Sequence, residues 1–240
     1  RMQSSPSREE ARRALGIEPD QTAIALLPAS RHQELKYLMP VVFEAAQQIQ
    51  SKLLGNGESG AGEQGRTPDL KSKIQHLKSG TPLFWIPLSL EVYRPSIEAA
   101  IERYGLRATL VAGKTQEVLA AADLAITKSG TVNLELALLD VPQVVFYRVS
   151  PFTYWVARTL FKFSIPFMSP PNLVMMRSIV PELLQEQATP ENIVKESLEL
   201  LLNPDRGQQT LADYQEMRRL LGEVGVCDRA AREILQLAKV

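Results

Sequence analysis

The sequence predicts an α/β fold, a parallel sheet with helices on both faces, followed by a helical C-terminal tail. Three observations carry this reading. Short apolar runs alternate with helical periodicities through the first two thirds of the 240 residues. One junction reads as strand, tight loop and helix start: an apolar run at 124–127, then Lys128-Ser129-Gly130-Thr131, then a helix-compatible run at 132–139. From Pro190 onward only helical patterns remain.

Taken in order, residues 1–20 read as a polar linker of interdomain type with a short helix at 9–15. A strand at 22–27 ends at Pro28. Residues 35–49 place Leu38, Val41, Val42, Ala45 and Ile49 on one face of a helix. The run at 55–65 carries five glycines among polar residues and reads as a surface insertion. It precedes Arg66-Thr67-Pro68 and lacks the Lys-Ser/Thr ending of a P-loop. Next come a strand at 83–86, a helix at 96–104 stopping near Gly105, a strand at 108–111 ending at Gly113, and a short helix at 117–122. The strand–loop–helix junction follows, then a strand at 143–147. Residues 152–168 combine Phe152, Tyr154, Trp155, Phe161, Phe163 and Phe167 with Arg158 and Lys162. That pattern suits first a crossover helix packed on the sheet, with Ser150 as cap and Pro151 next, and second a segment resting on a membrane surface. Helices at 190–202, 211–221 and 228–238 complete a tail assigned to 188–240, the first marked by Thr189 as cap and Pro190 at its first position.

Composition narrows the function. Lys plus Arg and Asp plus Glu each number 27, so the formal net charge is zero and nucleic acid is not an expected partner. The lone cysteine, Cys227, excludes an intrachain disulfide and fits a reducing compartment. The first residues are polar and charged, unlike a signal peptide, and no apolar run is long enough to cross a bilayer. No zinc-type ligand cluster is present, and neither a metal nor a cofactor is expected.

The loop at 128–131 is the main candidate site. A helix start offers backbone N–H groups and a partial positive charge to a phosphate. Gly130 admits close approach, and Ser129 and Thr131 add hydroxyls. Glu135, one turn on, suits ribose hydroxyls. The competing reading is a strand–helix turn with an ordinary Ser or Thr cap. In an open parallel sheet, ligands bind beyond the carboxyl ends of the strands. Ser30 and Arg31 therefore share this rim, with Arg31 suited to phosphate or to a surface ion pair with Glu34. Gly113 would let backbone amides read the edge of a base, or simply close a turn. Asn172, after Pro170 and Pro171, suits a sugar as well as a turn. Glu182 and Gln185 stand a helical step apart, facing one ligand or solvent.

Apart from Gly113, these residues lie within motifs that resemble lipid-A-disaccharide synthase. The motifs are Leu26-Leu27-Pro28-Ala29-Ser30-Arg31 with Glu34, Ala122-Asp123, Ser129-Gly130-Thr131 with Leu134-Glu135, Pro142, Tyr147-Arg148 with Ser150, Pro171-Asn172-Leu173, and Val180-Pro181-Glu182-Leu183-Leu184-Gln185. The resemblance implies the C-terminal half of a GT-B glycosyltransferase, with residues 21–187 as a Rossmann-like domain binding the UDP-sugar. It implies transfer of a diacylglucosaminyl group from its UDP donor to diacylglucosamine 1-phosphate, with inversion. By resemblance Ser129, Gly130 and Thr131 hold the diphosphate, Glu135 the ribose, and Ser30 and Arg31 the phosphate rim. Asn172, Glu182 and Gln185 would lie on the donor side. The acceptor domain is expected to be absent from this chain, and the general base with it. Expected partners are the UDP-diacylglucosamine donor, a lipid monosaccharide acceptor, the inner face of the cytoplasmic membrane, and a second copy through the tail. Three departures stand out: Ala29 where the family usually has Gly, Lys128 before the loop, and the longer insertion at 55–65. Two other readings remain at this stage, another UDP-sugar enzyme of the same fold and a non-catalytic nucleotide-sugar-binding module.

Overall fold

The computed structural model of the chain describes residues 5–28, 32–54, 83–148, 167–222 and 225–238. Ala29, Ser30, Arg31, the insertion at 55–65 and the aromatic stretch up to residue 166 lie outside these.

The chain enters through α1 (Arg8–Leu15), which Ser7 and Glu10 start with a reciprocal capping box and Gly16 ends in the left-handed region at φ 68°. The strands are β1 (Ile24–Leu27), β2 (Phe84–Leu88), β3 (Ala108–Ala112), β4 (Leu124–Lys128), β5 (Gln143–Tyr147) and β6 (Glu182–Leu184). Between them run α2 (His32–Tyr37), α3 (Met39–Leu53), α4 (Arg94–Arg103), α5 (Thr115–Ala121), α6 (Val132–Leu138) and α7 (Pro170–Met175). Then follow α8 (Pro190–Leu202), α9 (Pro204–Leu221) and α10 (Val226–Leu237).

All strand pairs are parallel, in the order β3-β2-β1-β4-β5-β6. The chain begins in the middle, builds out to β3, then returns to lay β4 against the other side of β1. This is the Rossmann order, and it leaves a crevice between β1 and β4 at their carboxyl ends.

Alternation along each strand separates two cores. Ile24, Leu26, Phe84, Ile86, Leu124, Ile126, Val144 and Phe146 pack with residues of α3, α4 and α8 in one cluster. On the opposite face Ala25, Trp85, Val111 and Ala125 meet α1, α5 and Leu136 of α6. A third cluster joins Val145 to α6, α7 and α9 through Ala137, Met175, Tyr214 and Met217. The first two tail helices therefore contribute to the cores of the sheet domain, whereas α10 buries no residue.

Several elements differ from the sequence expectation. The single helix read at 35–49 is two, α2 and α3, interrupted at Leu38. Pro40 has no N–H to give to residue 36, and its ring collides with that carbonyl in a continuous helix. The strand read as ending at 86 runs on through Pro87. There β2 pairs only with β3, because its pairing with β1 stops at Trp85, so the missing N–H removes no bond on that side. Glu182 and Gln185 are not a helical step apart: Glu182 starts β6 and Gln185, at φ 51°, opens a short 3₁₀ turn.

A polar staple fixes α1. Arg12, 6% exposed, donates through Nη1 to the Ala121 carbonyl at 3.0 Å and through Nη2 to the carbonyls of Glu18, at 2.7 Å, and Gln21. Asp123 accepts from the Ala23 amide at 2.7 Å and from the Arg8 guanidinium. The buried Arg12 Nη groups thus replace water with backbone carbonyls and Asp123, while its Nε has no acceptor among the described residues.

Candidate functional site

The crevice between β1 and β4 is open and measures about 600 Å³. Its walls include Leu27 at the end of β1, Glu34 on α2, residues 127–132 at the end of β4, and Tyr147 and Met168 on the far side. A second hollow of about 470 Å³ lies beyond the carboxyl ends of β2 and β3 and shares Ser89 and Thr115 with the first. Gly113 lines it, in the left-handed region at φ 71°, so a side chain there would be strained and the turn stays open.

The loop divides its donors between the protein and the cleft. The Ser129 amide donates to the Phe146 carbonyl at 3.2 Å, and the Ser129 hydroxyl to the Met168 carbonyl at 2.7 Å. The Gly130 amide donates to Asn133 Oδ1 at 2.7 Å. Among the described residues, the Thr131 and Val132 amides have no protein acceptor, and both residues line the cleft. These two N–H groups, not that of Gly130, are the ones open to an anion. A Cβ built on Gly130 meets nothing within 4 Å. The fold itself leaves room for a side chain there, and glycine leaves that room unfilled.

Lys128 ends β4, and its Nζ lies 2.8 Å from Glu34 Oε1, with side-chain exposures of 17% and 13%. A cation therefore stands in the cleft wall beside the loop, paired with a carboxylate from α2. Partial burial makes such a pair stronger than an exposed one.

Asn172 and Glu182 come together behind the Met168 wall. Fully buried Asn172 accepts the Ile179 and Val180 amides at 2.7 and 2.9 Å and donates to the Val180 carbonyl at 3.0 Å and Glu182 Oε1 at 2.9 Å. Glu182 also accepts the Met168 and Ser169 amides at 2.9 and 2.7 Å, and the Ser169 hydroxyl. Ser129, through its bond to Met168, joins the same assembly. These three sequence candidates thus shape one wall of the cleft. Glu135 accepts from Gln116 Nε2 at 3.2 Å, and Gln116 lines the second hollow. Gln185 stands apart at the end of β6, where its carbonyl accepts Arg148 Nε at 3.1 Å. Ser30 and Arg31 lie outside the described residues.

Sequence reasoning missed Asn133, Gln143 and Met168. Asn133 sits three residues after Gly130 and returns its side chain to that amide, the spacing of a capping box, so a signal was there. Gln143 and Met168 act by position, and residue type alone does not mark them.

The model of the family described as lipid-A-disaccharide synthetase matches residues 1–56 and 59–237. The chain belongs to this family. A lipid-A-disaccharide synthase from Gloeothece citriformis is 61% identical over 235 residues, covering 98% of this chain and 54% of that protein. One from Synechocystis sp. is 51% identical, covering 98% and 53%. The chain spans about half the length of the curated synthases it matches. A solved structure of the wall teichoic acid polymerase TagF aligns over 97% of this chain and 48% of that one, with 16% identity and a TM-score of 0.48. The fold class rests on the strand order and pairing rather than on that likeness.

Proposed function

We propose that this chain is the donor-binding half of a lipid-A-disaccharide synthase. On this reading it holds UDP-2,3-diacylglucosamine, whose sugar passes to 2,3-diacylglucosamine 1-phosphate. The observation that carries it is the pair of amides at Thr131 and Val132, without protein acceptors among the described residues, at the β1–β4 switch point of a chain in this family. These amides, with Lys128, receive the diphosphate. Gly130 gives it space, and Ser129 holds the loop to the Met168 wall. Ser30 and Arg31 complete the phosphate rim. The second hollow, with Gly113, takes the base, and Glu135 takes the ribose. Asn172 and Glu182 act by holding the donor-side wall, and Gln185 marks its outer end.

In the transfer, an acceptor hydroxyl attacks the anomeric carbon as the bond to UDP breaks, and the hydroxyl proton passes to a general base. Negative charge grows on the departing diphosphate. Preorganised amides and a nearby cation stabilise that charge without reorganising at the moment of reaction. The base belongs to the half of the synthase length that this chain does not span.

Two further expectations concern partners. The exposed apolar residues Leu220, Val226, Ile234, Leu235 and Leu237 suit self-association through the tail. Among the described residues, no helix is long and apolar enough to cross a membrane. Contact with a lipid-bearing acceptor places the enzyme on the cytoplasmic membrane surface, with the aromatic and basic residues of 152–168 as the candidate contact.

Calorimetry with UDP tests the site. Wild-type chain should bind UDP more tightly than UMP, because the amides grip the second phosphate. Gly130→Val should fold, since its Cβ meets no atom within 4 Å, and should weaken UDP binding. A loss of at least about tenfold corresponds to displacing one charge-assisted contact. Unchanged affinity in folded Gly130→Val would overturn the assignment.

A further inference from the structure

Asn133, Gln143 and Tyr214 are fully buried, come from three different elements, and touch none of the space proposed for the nucleotide. Even so, they form an unbroken run of hydrogen bonds that starts at the loop. Asn133 Oδ1 accepts the Gly130 amide at 2.7 Å. Its Nδ2 donates back to the Lys128 carbonyl at 3.3 Å and on to Gln143 Oε1 at 3.0 Å. Gln143 Nε2 donates to the Asn133 carbonyl at 2.8 Å and to the Tyr214 hydroxyl at 3.3 Å. The Tyr214 hydroxyl in turn donates to the Val141 carbonyl at 3.3 Å. Each side-chain polar atom in the run has a partner, which makes a buried network of this kind rigid and not a source of strain.

One carboxamide thus grips the loop twice, at the Lys128 carbonyl and at the Gly130 amide. With those two groups engaged, the next amides, Thr131 and Val132, are left for the cleft. The orientation of the Asn133 carboxamide is in turn dictated by Gln143, and that of Gln143 by Tyr214 on α9.

We infer that Asn133, braced by Gln143 and Tyr214, is a positioning residue for the loop at 128–132, and that docking of α9 is thereby coupled to nucleotide affinity. The coupling to affinity rests on the nucleotide-diphosphate reading of the cleft. The positioning of the loop does not. The physical basis is preorganisation. A loop held in its binding conformation before the ligand arrives loses less freedom on binding, whereas a released Gly130 amide is free to turn and seek another acceptor.

The test uses the full chain with Asn133→Ala, Tyr214→Phe and the double variant, read by UDP calorimetry and by the Gly130 amide resonance in isotope-labelled protein. Both single variants should shift the Gly130 resonance in the absence of any ligand, although Tyr214 does not touch Gly130. UDP affinity should fall about tenfold in Asn133→Ala and about threefold in Tyr214→Phe, the range for losing a buried partner and a single neutral bond. The double variant should lose less than the product, because the two act through one chain of contacts. Tyr214→Phe retains the ring, so it decides the matter even where Asn133→Ala does not fold. An unmoved Gly130 resonance and unchanged UDP affinity in Tyr214→Phe, with only the melting temperature lowered, would overturn the inference. Wild-type chain that ignores UDP would sink the nucleotide reading, while the Gly130 resonance in Tyr214→Phe still decides whether the relay positions the loop.

Discussion

Asn172 was legible in the sequence as a residue with both donor and acceptor atoms after two prolines, suited to a sugar or to a turn. Its surroundings give those atoms to the protein: two amides, a carbonyl and the Glu182 carboxylate. Asn172→Ala should therefore cost about 2–3 kcal/mol of stability, because it leaves the Ile179 and Val180 amides buried without acceptors. Urea unfolding measures it, and a loss below the range of a typical exposed substitution would contradict the clamp. Lys128 was legible only as added positive charge. Its partner Glu34 lies 94 positions away in sequence, and only the pairing of β4 with β1 brings α2 beside it. Removing Glu34 (Glu34→Gln) releases that cation toward the cleft. UDP affinity should rise by a few-fold at low salt and return toward wild type as screening increases. A salt-independent response would contradict an electrostatic role.

At the scale of elements, the two ends of the tail behave differently. α9 buries Tyr214 and Met217 completely against α6 and α7, whereas α10 buries nothing. Removing residues 225–240 should leave the melting temperature unchanged within error and reduce concentration-dependent light scattering. Removing residues 205–240 uncovers the third core and deletes two large buried side chains, each worth about 2–5 kcal/mol on truncation, so that variant should unfold or melt far lower. Circular dichroism distinguishes the two. Tyr214 also sets a pH signature. Burial, the largest cause, pushes its hydroxyl well above the ordinary 10.0, with the Gln143 hydrogen bond opposing. The folded protein keeps this proton where the unfolded chain has lost it. The stability attached to it is whole below the ordinary value and declines as pH rises above it toward the folded value, by up to about 1.4 kcal/mol per pH unit. Denaturant midpoints across alkaline pH should show a shallower decline in Tyr214→Phe. An identical slope in both proteins would remove Tyr214 as the cause. Strands β1, β4 and β5 were legible from their apolar runs. The break between α2 and α3 was legible in principle from Pro40, but the face of apolar residues running through it concealed the interruption. The short β6 was not, because an edge strand of three residues has too little pattern to separate from a turn.

At the scale of the molecule, the chain should bind UDP yet form no disaccharide when given both sugar substrates, since it spans about half of the synthase length. Product formation by this chain alone, followed by chromatography, would place the base among its own residues. The sequence by itself determined the alternation of strands and helices, the parallel sheet, the small-residue loop at 128–131 and the family, because local periodicity and contiguous motifs are written along the chain. The tertiary structure alone decided the strand order, and with it which strand ends enclose the cleft. It also decided which amides remain open: Gly130, the obvious residue, gives its N–H to Asn133, and Thr131 and Val132, without acceptors among the described residues, face the cleft. That assignment depends on a carboxamide held by Gln143 and Tyr214, 10 and 81 positions beyond Asn133. Hydrogen-bond satisfaction in a buried site is settled by which groups the fold brings within reach, and residue type and spacing do not record it.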